Sequence, residues 1–213
     1  TFVASCKLCG RSLATNRIEG LSDGVFGIAM TLLIFKIDVP DGVIMEGGKV
    51  ILRDKLYNMI PQFENYLISF LLLGFYWTRH QLQFKYIKQA DRNLLWINIF
   101  FLAEVGLIPF TTALLMKYTG MEMPQLLYSL NLLLIGLTLA IHWWYASSNY
   151  RLIDKNLSKE YIRKTTWLTF SVPVAFAICS VVAVISPRTS LTLMYIIPLI
   201  YFIARIIEKR KKA

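Results

Sequence analysis

Residues 17–37, "RIEGLSDGVFGIAMTLLIFKI", have the length and the apolar second half of a helix bound for lipid, yet Arg17, Glu19, Ser22 and Asp23 stand at its start. The apolar half calls for hydrocarbon around it, and the polar half calls for partners inside a bundle. Composition decides how to read the stretch. Of 213 residues 56% are hydrophobic and only 17% charged, whereas a soluble domain keeps charges near about a quarter of its residues. The chain reads as an all-α integral membrane protein.

Crossing roughly 30 Å of hydrocarbon takes about 20 mostly apolar residues in a helix. Six such windows are expected, near 17–39, 57–80, 94–117, 124–147, 165–186 and 189–207. Connections are short apart from 40–56 and 148–164, so residues 1–213 read as a single six-helix transmembrane domain. With the N-terminus in the cytoplasm, one side of the membrane receives most of the 23 Lys and Arg. These are Lys7, Arg11 and Arg17, then Arg79, Lys85, Lys88 and Arg92, then Arg151, Lys155, Lys159, Arg163 and Lys164, and finally Arg205 and 209–212. The positive-inside rule therefore places both termini in the cytoplasm. The net charge of +10 follows from that topology, and anionic lipid headgroups are the expected partner of the basic face. No base-stacking platform accompanies the basic tail, so nucleic acid is not expected.

The first segment does not read as a cleaved signal peptide, because its apolar run is too long and lacks a small-residue cleavage site. Cys6 and Cys9 have the spacing of half a zinc site, but no second pair completes it, and no metal is expected. Cys179 reads as an apolar filler in the fifth span.

At a rise of about 1.5 Å per residue from Arg17, Asp23 lies about 9 Å into the membrane and Ile28 about 16 Å, near its centre. The second span returns to the same level through "FYWTRHQ", with Trp77 and His80, and the third leaves it through "NLLWINIFF", with Trp96 and Asn98. Arg17, Ser22, Asp23, His80 and Asn98 are thus expected at one depth, turned inward and paired, since an ionised carboxylate facing lipid is costly. Two readings compete: a polar clasp that locks the first three helices, or a proton relay or ion-coordinating site. The residue types favour the clasp, because an Arg, an Asp and a His neutralise one another.

Beyond Asp23, Ile28, Thr31, Leu32 and Phe35 recur at i, i+3, i+4 and i+7 and make one stripe, extended by Gly24. Gly20, Gly24 and Gly27 permit close backbone approach, which predicts a crowded, central helix. Taken alone, the stripe is also compatible with ordinary helix packing.

"RIEGLSDGVFGIAMTLLIF" resembles the first-helix signature of the transmembrane protein 175 family of potassium channels, Arg-x-x-x-Phe-Ser-Asp followed by an apolar pore helix. Arg17, Ser22 and Asp23 match the signature, and Leu21 stands where the family usually has Phe. "FYWTRHQ" and "LLWINIFFLAEVGLIPFTTALL" are similar to its second and third helices. One six-helix repeat per chain is similar to the bacterial members, whereas animal members carry two. The resemblance implies a homotetramer in the cell inner membrane, with a central pore lined by the first helix and no re-entrant filter loop. It implies Ile28 as a hydrophobic constriction, Thr31 one turn outward, and Leu32 and Phe35 completing the wall. It implies Arg17, Ser22, Asp23 and His80 as the network holding the pore helix, and no cofactor beyond the permeant potassium ion. No Thr-Val-Gly-Tyr-Gly stretch occurs, in agreement.

Other polar groups have simpler expectations. Glu104, near the middle of the third span, calls for a hydroxyl, water or Arg partner. His142 lies among aromatics near the cytoplasmic end of the fourth span and reads as a hydrogen-bonded interfacial anchor. Pro109, Pro173 and Pro198 are expected to kink their helices. A proton- or cation-coupled secondary transporter using Asp23, Glu104 and His80 is the alternative, although no internal repeat with matching broken segments is visible. A membrane enzyme is disfavoured: the chain has only two His and no His-Glu-x-x-His or Gly-x-Ser-x-Gly.

Overall fold

A computed structural model of the chain describes residues 15–40 and 48–210, with side chains over 15–40 and 52–198. Cys6, Cys9, Lys7, Arg11 and the last two lysines of the tail lie outside the described residues. Among the described residues seven α-helices follow in order: α1 (Thr15–Ile34), α2 (Gly48–Asn58), α3 (Ile60–Phe84), α4 (Arg92–Lys117), α5 (Glu122–Ser147), α6 (Lys159–Ile185) and α7 (Pro187–Arg210). Residues 92–117, 122–150 and 159–185 form helices long and apolar enough to cross a membrane.

The structure departs from the expected windows in several places, among them the start of α6 at Lys159 rather than near 165. The first helix ends at Ile34 rather than near 39, in a turn where Lys36 N–H bonds Leu33 O and Ile37 N–H bonds Ile34 O. Apolar Phe35 and Ile37 extend the hydropathy signal, but Pro40 disfavours helical backbone at the residue before it. The expected connection 40–56 contains α2, which stops at Asn58 because Pro61, at the start of α3, lacks an N–H and its ring opposes a carbonyl one turn back. Within 148–164, a 3-10 turn (Ser148–Tyr150) with Asn149 and Tyr150 at positive φ leads to an isolated antiparallel bridge between Ile87 and Ile153. That bridge ties the α3–α4 and α5–α6 connections together.

The bundle is organised around α5, which packs on α4 and α6 and also meets α3 and α7, while α1 packs on α4 and α3. Gly136 permits the closest approach in α5: a Cβ there would lie 3.3 Å from Pro173 N of α6 and 3.3 Å from the Tyr76 hydroxyl of α3. Tyr76 cannot easily swing aside, since its hydroxyl donates to Leu132 O at 2.7 Å. The main apolar core runs through Phe26, Leu33, Leu72, Tyr76, Phe101, Tyr128, Ile135 and Phe176, and a smaller one lies beneath it around Ile18, Phe84, Leu94 and Trp143.

Outward faces are apolar as well. Phe100, Leu107 and Phe110 on α4, Leu130 and Leu134 on α5, and Val174, Ile178 and Val181 on α6 are all exposed, large apolar side chains that lipid accommodates better than water. Trp77, Trp96, Trp144 and Trp167 are also exposed, on α3, α4, α5 and α6 respectively. Such rings suit the headgroup level of a bilayer.

Candidate functional site: the outer face of the first helix and the polar cluster behind it

The two faces of α1 have different company. Ile18, Ser22, Phe26, Ala29 and Leu33 are buried against the bundle. Ile28 is 62% exposed, Leu32 43% and Phe35 79%, and Thr31, Gly20, Gly24 and Gly27 are exposed with them. This is the predicted stripe, lying on the outside of the single subunit. The three glycines are not crowded within the chain, because a Cβ at any of them would find nothing within 4 Å. Phe35 stands apart from the other stripe residues, one position past the helix end. Thr31 Oγ1 donates to the carbonyls of Gly27 and Ile28, at 3.0 and 2.9 Å. Its proton is thus turned back into the helix, and its lone pairs are left toward the open face.

Behind this face the five predicted network residues divide. Ser22, His80 and Asn98 form a buried chain: Ser22 Oγ donates to Ile18 O at 2.8 Å, Asn98 Nδ2 donates to Ser22 Oγ at 3.3 Å, and His80 Nε2 meets Asn98 Oδ1 at 2.8 Å. Since Ser22 has given its one hydrogen to Ile18 O, Asn98 must offer it an N–H, which leaves Asn98 Oδ1 to accept from His80. The His80 ring stacks on Phe101 at 5.2 Å and 3°, which holds its plane.

Asp23 is not paired with Arg17. Its Oδ1 instead accepts from Trp77 Nε1 at 2.8 Å and Gln81 Nε2 at 2.6 Å, and Arg17 is exposed with no hydrogen bond or ion pair among the described residues. Trp77 and Gln81 are four apart on α3 and so share a face that converges on one carboxylate oxygen. Gln81 was missed in the sequence because a Gln beside the basic end of a span reads as interfacial; its spacing from Trp77 was the available signal.

His142 corrects a second expectation. It is 1% exposed and lies within the bundle rather than at its interface, with Nδ1 2.8 Å from Gln83 Oε1 and its ring centroid 5.9 Å from that of His80. Gln83 in turn donates through Nε2 to Leu139 O at 3.1 Å. Glu104 has the hydroxyl partner expected of it, Thr138 Oγ1 at 2.9 Å. At the basic end, Asp91 caps α4 through Leu94 N–H, accepts from the Tyr145 hydroxyl at 2.7 Å and pairs with Arg151 at 3.2 Å.

Comparison with known proteins places this arrangement. A family model described as the endosomal/lysosomal potassium channel TMEM175 matches residues 17–109, the stretch from Arg17 to Pro109 within α4. A potassium channel of Streptomyces collinus is 34% identical over 157 residues, covering 71% of this chain and 73% of that protein. The chain belongs to the TMEM175 family. A potassium channel of Chamaesiphon minutus is 29% identical to it over 194 residues, 90% of this chain and 94% of the relative. The crystal structure of a lysosomal potassium-selective channel TMEM175 homolog from Chamaesiphon minutus superposes with a TM-score of 0.78 at 28% identity, covering 90% of this chain and 97% of that one. The chain is therefore a membrane protein with the TMEM175 channel fold.

Proposed function

We propose that this TMEM175 chain is a potassium-permeable cation channel, assembled as a homotetramer in which α1 of each subunit lines a central pore. The observation that carries this reading is the outer face of α1, where Gly20, Gly24, Ile28, Thr31 and Leu32 lie open on a helix whose opposite face, Ile18, Ser22, Phe26, Ala29 and Leu33, is packed into the bundle. A helix flanked by α3 and α4 and left bare on one face has room for copies of itself around an axis. Four Ile28 side chains then form a hydrophobic constriction that gates by dewetting and selects by the cost of removing ion-bound water, which is lower for potassium than for sodium. Thr31 oxygens, their protons already donated to the backbone, present lone pairs to a partly hydrated monovalent cation. Leu32 and Phe35 complete the wall, with Phe35 at the mouth. No re-entrant filter loop is needed for such a pore.

In this reading the long helices α1 and α3 to α7 are the six spans of one domain, and both termini face the cytoplasm of a cell inner membrane. The basic residues Lys85, Lys88, Arg92, Arg151 and Lys155 meet anionic headgroups there. The polar cluster acts as the clasp: Ser22 and Asp23 are held by different partners on α3 and α4, which sets the rotation of α1 and hence which side chains face the axis. The coupled-transporter reading receives less support. Asp23, His80 and Glu104 bond to separate partners, and no described hydrogen bond links one to another.

Reconstitution into liposomes with opposed potassium and sodium gradients tests the reading. A reversal potential displaced toward potassium, unmoved by an imposed proton gradient, is the expected result. Flux that tracks the proton gradient instead would favour the transporter, and sodium and potassium passing equally would remove the dehydration filter.

A further inference from the structure

The buried polar chain behind α1 has a second half, and the two halves stop facing the same need. From α1, the hydrogens run Ser22 to Ile18 O, Asn98 Nδ2 to Ser22, and His80 Nε2 to Asn98 Oδ1. From α5, Gln83 Nε2 gives its hydrogen to Leu139 O, so Gln83 Oε1 accepts, and His142 Nδ1 must be the N–H that meets it. Each of these donors is given to an acceptor other than the second ring. What remains is His80 Nδ1 and His142 Nε2, both lone-pair acceptors, both buried and both without a partner among the described residues. The two rings are 5.9 Å apart between centroids, and both neighbour Phe84, whose ring lies 4.7 Å from His80 and 5.3 Å from His142, while Phe101 stacks on His80.

Two acceptors cannot bond each other, and a buried acceptor left without a hydrogen is unfavourable. The occupant that suits them is small, neutral and carries two hydrogens to donate: a buried anion has none to give, and a cation would be stripped of solvent among aromatic carbons. We propose that a single buried water molecule binds between His80 and His142 and donates one hydrogen to each imine nitrogen, joining α1 to α5 through one continuous hydrogen-bond chain. Bound there, the water also fixes each ring in one tautomer, His80 with its hydrogen on Nε2 and His142 with its hydrogen on Nδ1. This site does not depend on the pore reading, since it lies within one subunit.

The sequence has only two histidines, so uniform 15N-histidine labelling of the full chain in lipid bilayers reports on this pair alone by solid-state NMR. The expected spectrum at neutral pH has two neutral rings of opposite tautomer, both imine signals at the position of a hydrogen-bonded nitrogen. Both gain intensity by transfer from water protons and lose it in D2O. His142→Phe assigns the signals; if that variant does not fold, transfer from the 13C-labelled Asn98 side chain identifies the His80 ring in the unaltered protein. Imine signals at the unbonded position, water transfer to one ring only, a coupling across a direct N–H···N contact between the rings, or an imidazolium signal would each overturn the proposal.

Discussion

Asp23 Oδ1 takes two N–H donors, from Trp77 and Gln81, and both come from the helix beside α1. Asp23→Ala leaves an indole and an amide without that acceptor and frees α1 to rotate. Hydrogen bonds to a charged group are worth about 1.5–3 kcal/mol each in net terms, with the lower end suited to an exposed carboxylate. The expected outcome is a lower melting temperature and poorer tetramer recovery on size exclusion, with the potassium-to-sodium preference of surviving channels little changed. A fully stable assembly that has lost only its flux would assign Asp23 to the ion pathway instead. Ile28 belongs to the opposite case, a side chain that touches little in its own subunit. Ile28→Asn should leave subunit stability intact, wet the constriction and raise cation leak. Each ~1.4 kcal/mol taken off the barrier is about tenfold in rate, and one such factor is the expected size. Unchanged conductance and gating in single-channel recordings would remove Ile28 from the pathway.

At the scale of elements, hydropathy windows located the long helices but not their starts, which caps set: α6 begins at Lys159 rather than near 165. Ser158 begins α6 by accepting from Tyr161 N–H, and Asp91 does the same for α4. Asp91 also holds Tyr145 of α5 and Arg151 beyond it, whose guanidinium lies 4.6 Å over the Tyr145 ring. Asp91→Asn keeps a cap and an acceptor but loses the charge, whereas Asp91→Ala loses all three; loss of a cap alone costs about 0.5–2 kcal/mol. Thermal unfolding in detergent should therefore rank the native chain above Asn and Asn above Ala. Equal melting for Asn and Ala would mean that the ion pair, not the cap, carries the effect. Less legible was the end of α1, where apolar Phe35 and Ile37 imitate further helix, and the presence of α2, whose residues look like a polar connection. Hydropathy windows average over such breaks, while a proline acts at one carbonyl.

For the whole molecule, the open stripe on α1 makes a prediction about assembly. Because a Cβ at Gly24 meets nothing within 4 Å in the subunit, Gly24→Leu should leave helicity and the melting of the monomer unchanged while lowering tetramer yield, as read by mass photometry in detergent or nanodiscs. Monomers that misfold would place the crowding inside the subunit; tetramers formed as well as before would move the subunit contact off this face. By itself the sequence determined the membrane character, the α1 stripe and Ser22, Asp23, His80 and Asn98 as polar residues in need of partners, because hydropathy and helical period are properties of residues along one stretch of chain. Which of them bond was decided only by the tertiary structure. Asp23 goes to Trp77 and Gln81 rather than Arg17, and His142 goes inward to Gln83 rather than to the interface. Hydrogen bonds require donor and acceptor within about 3 Å and in line. The rotation of one helix against another sets that geometry, and no spacing along a single helix contains it.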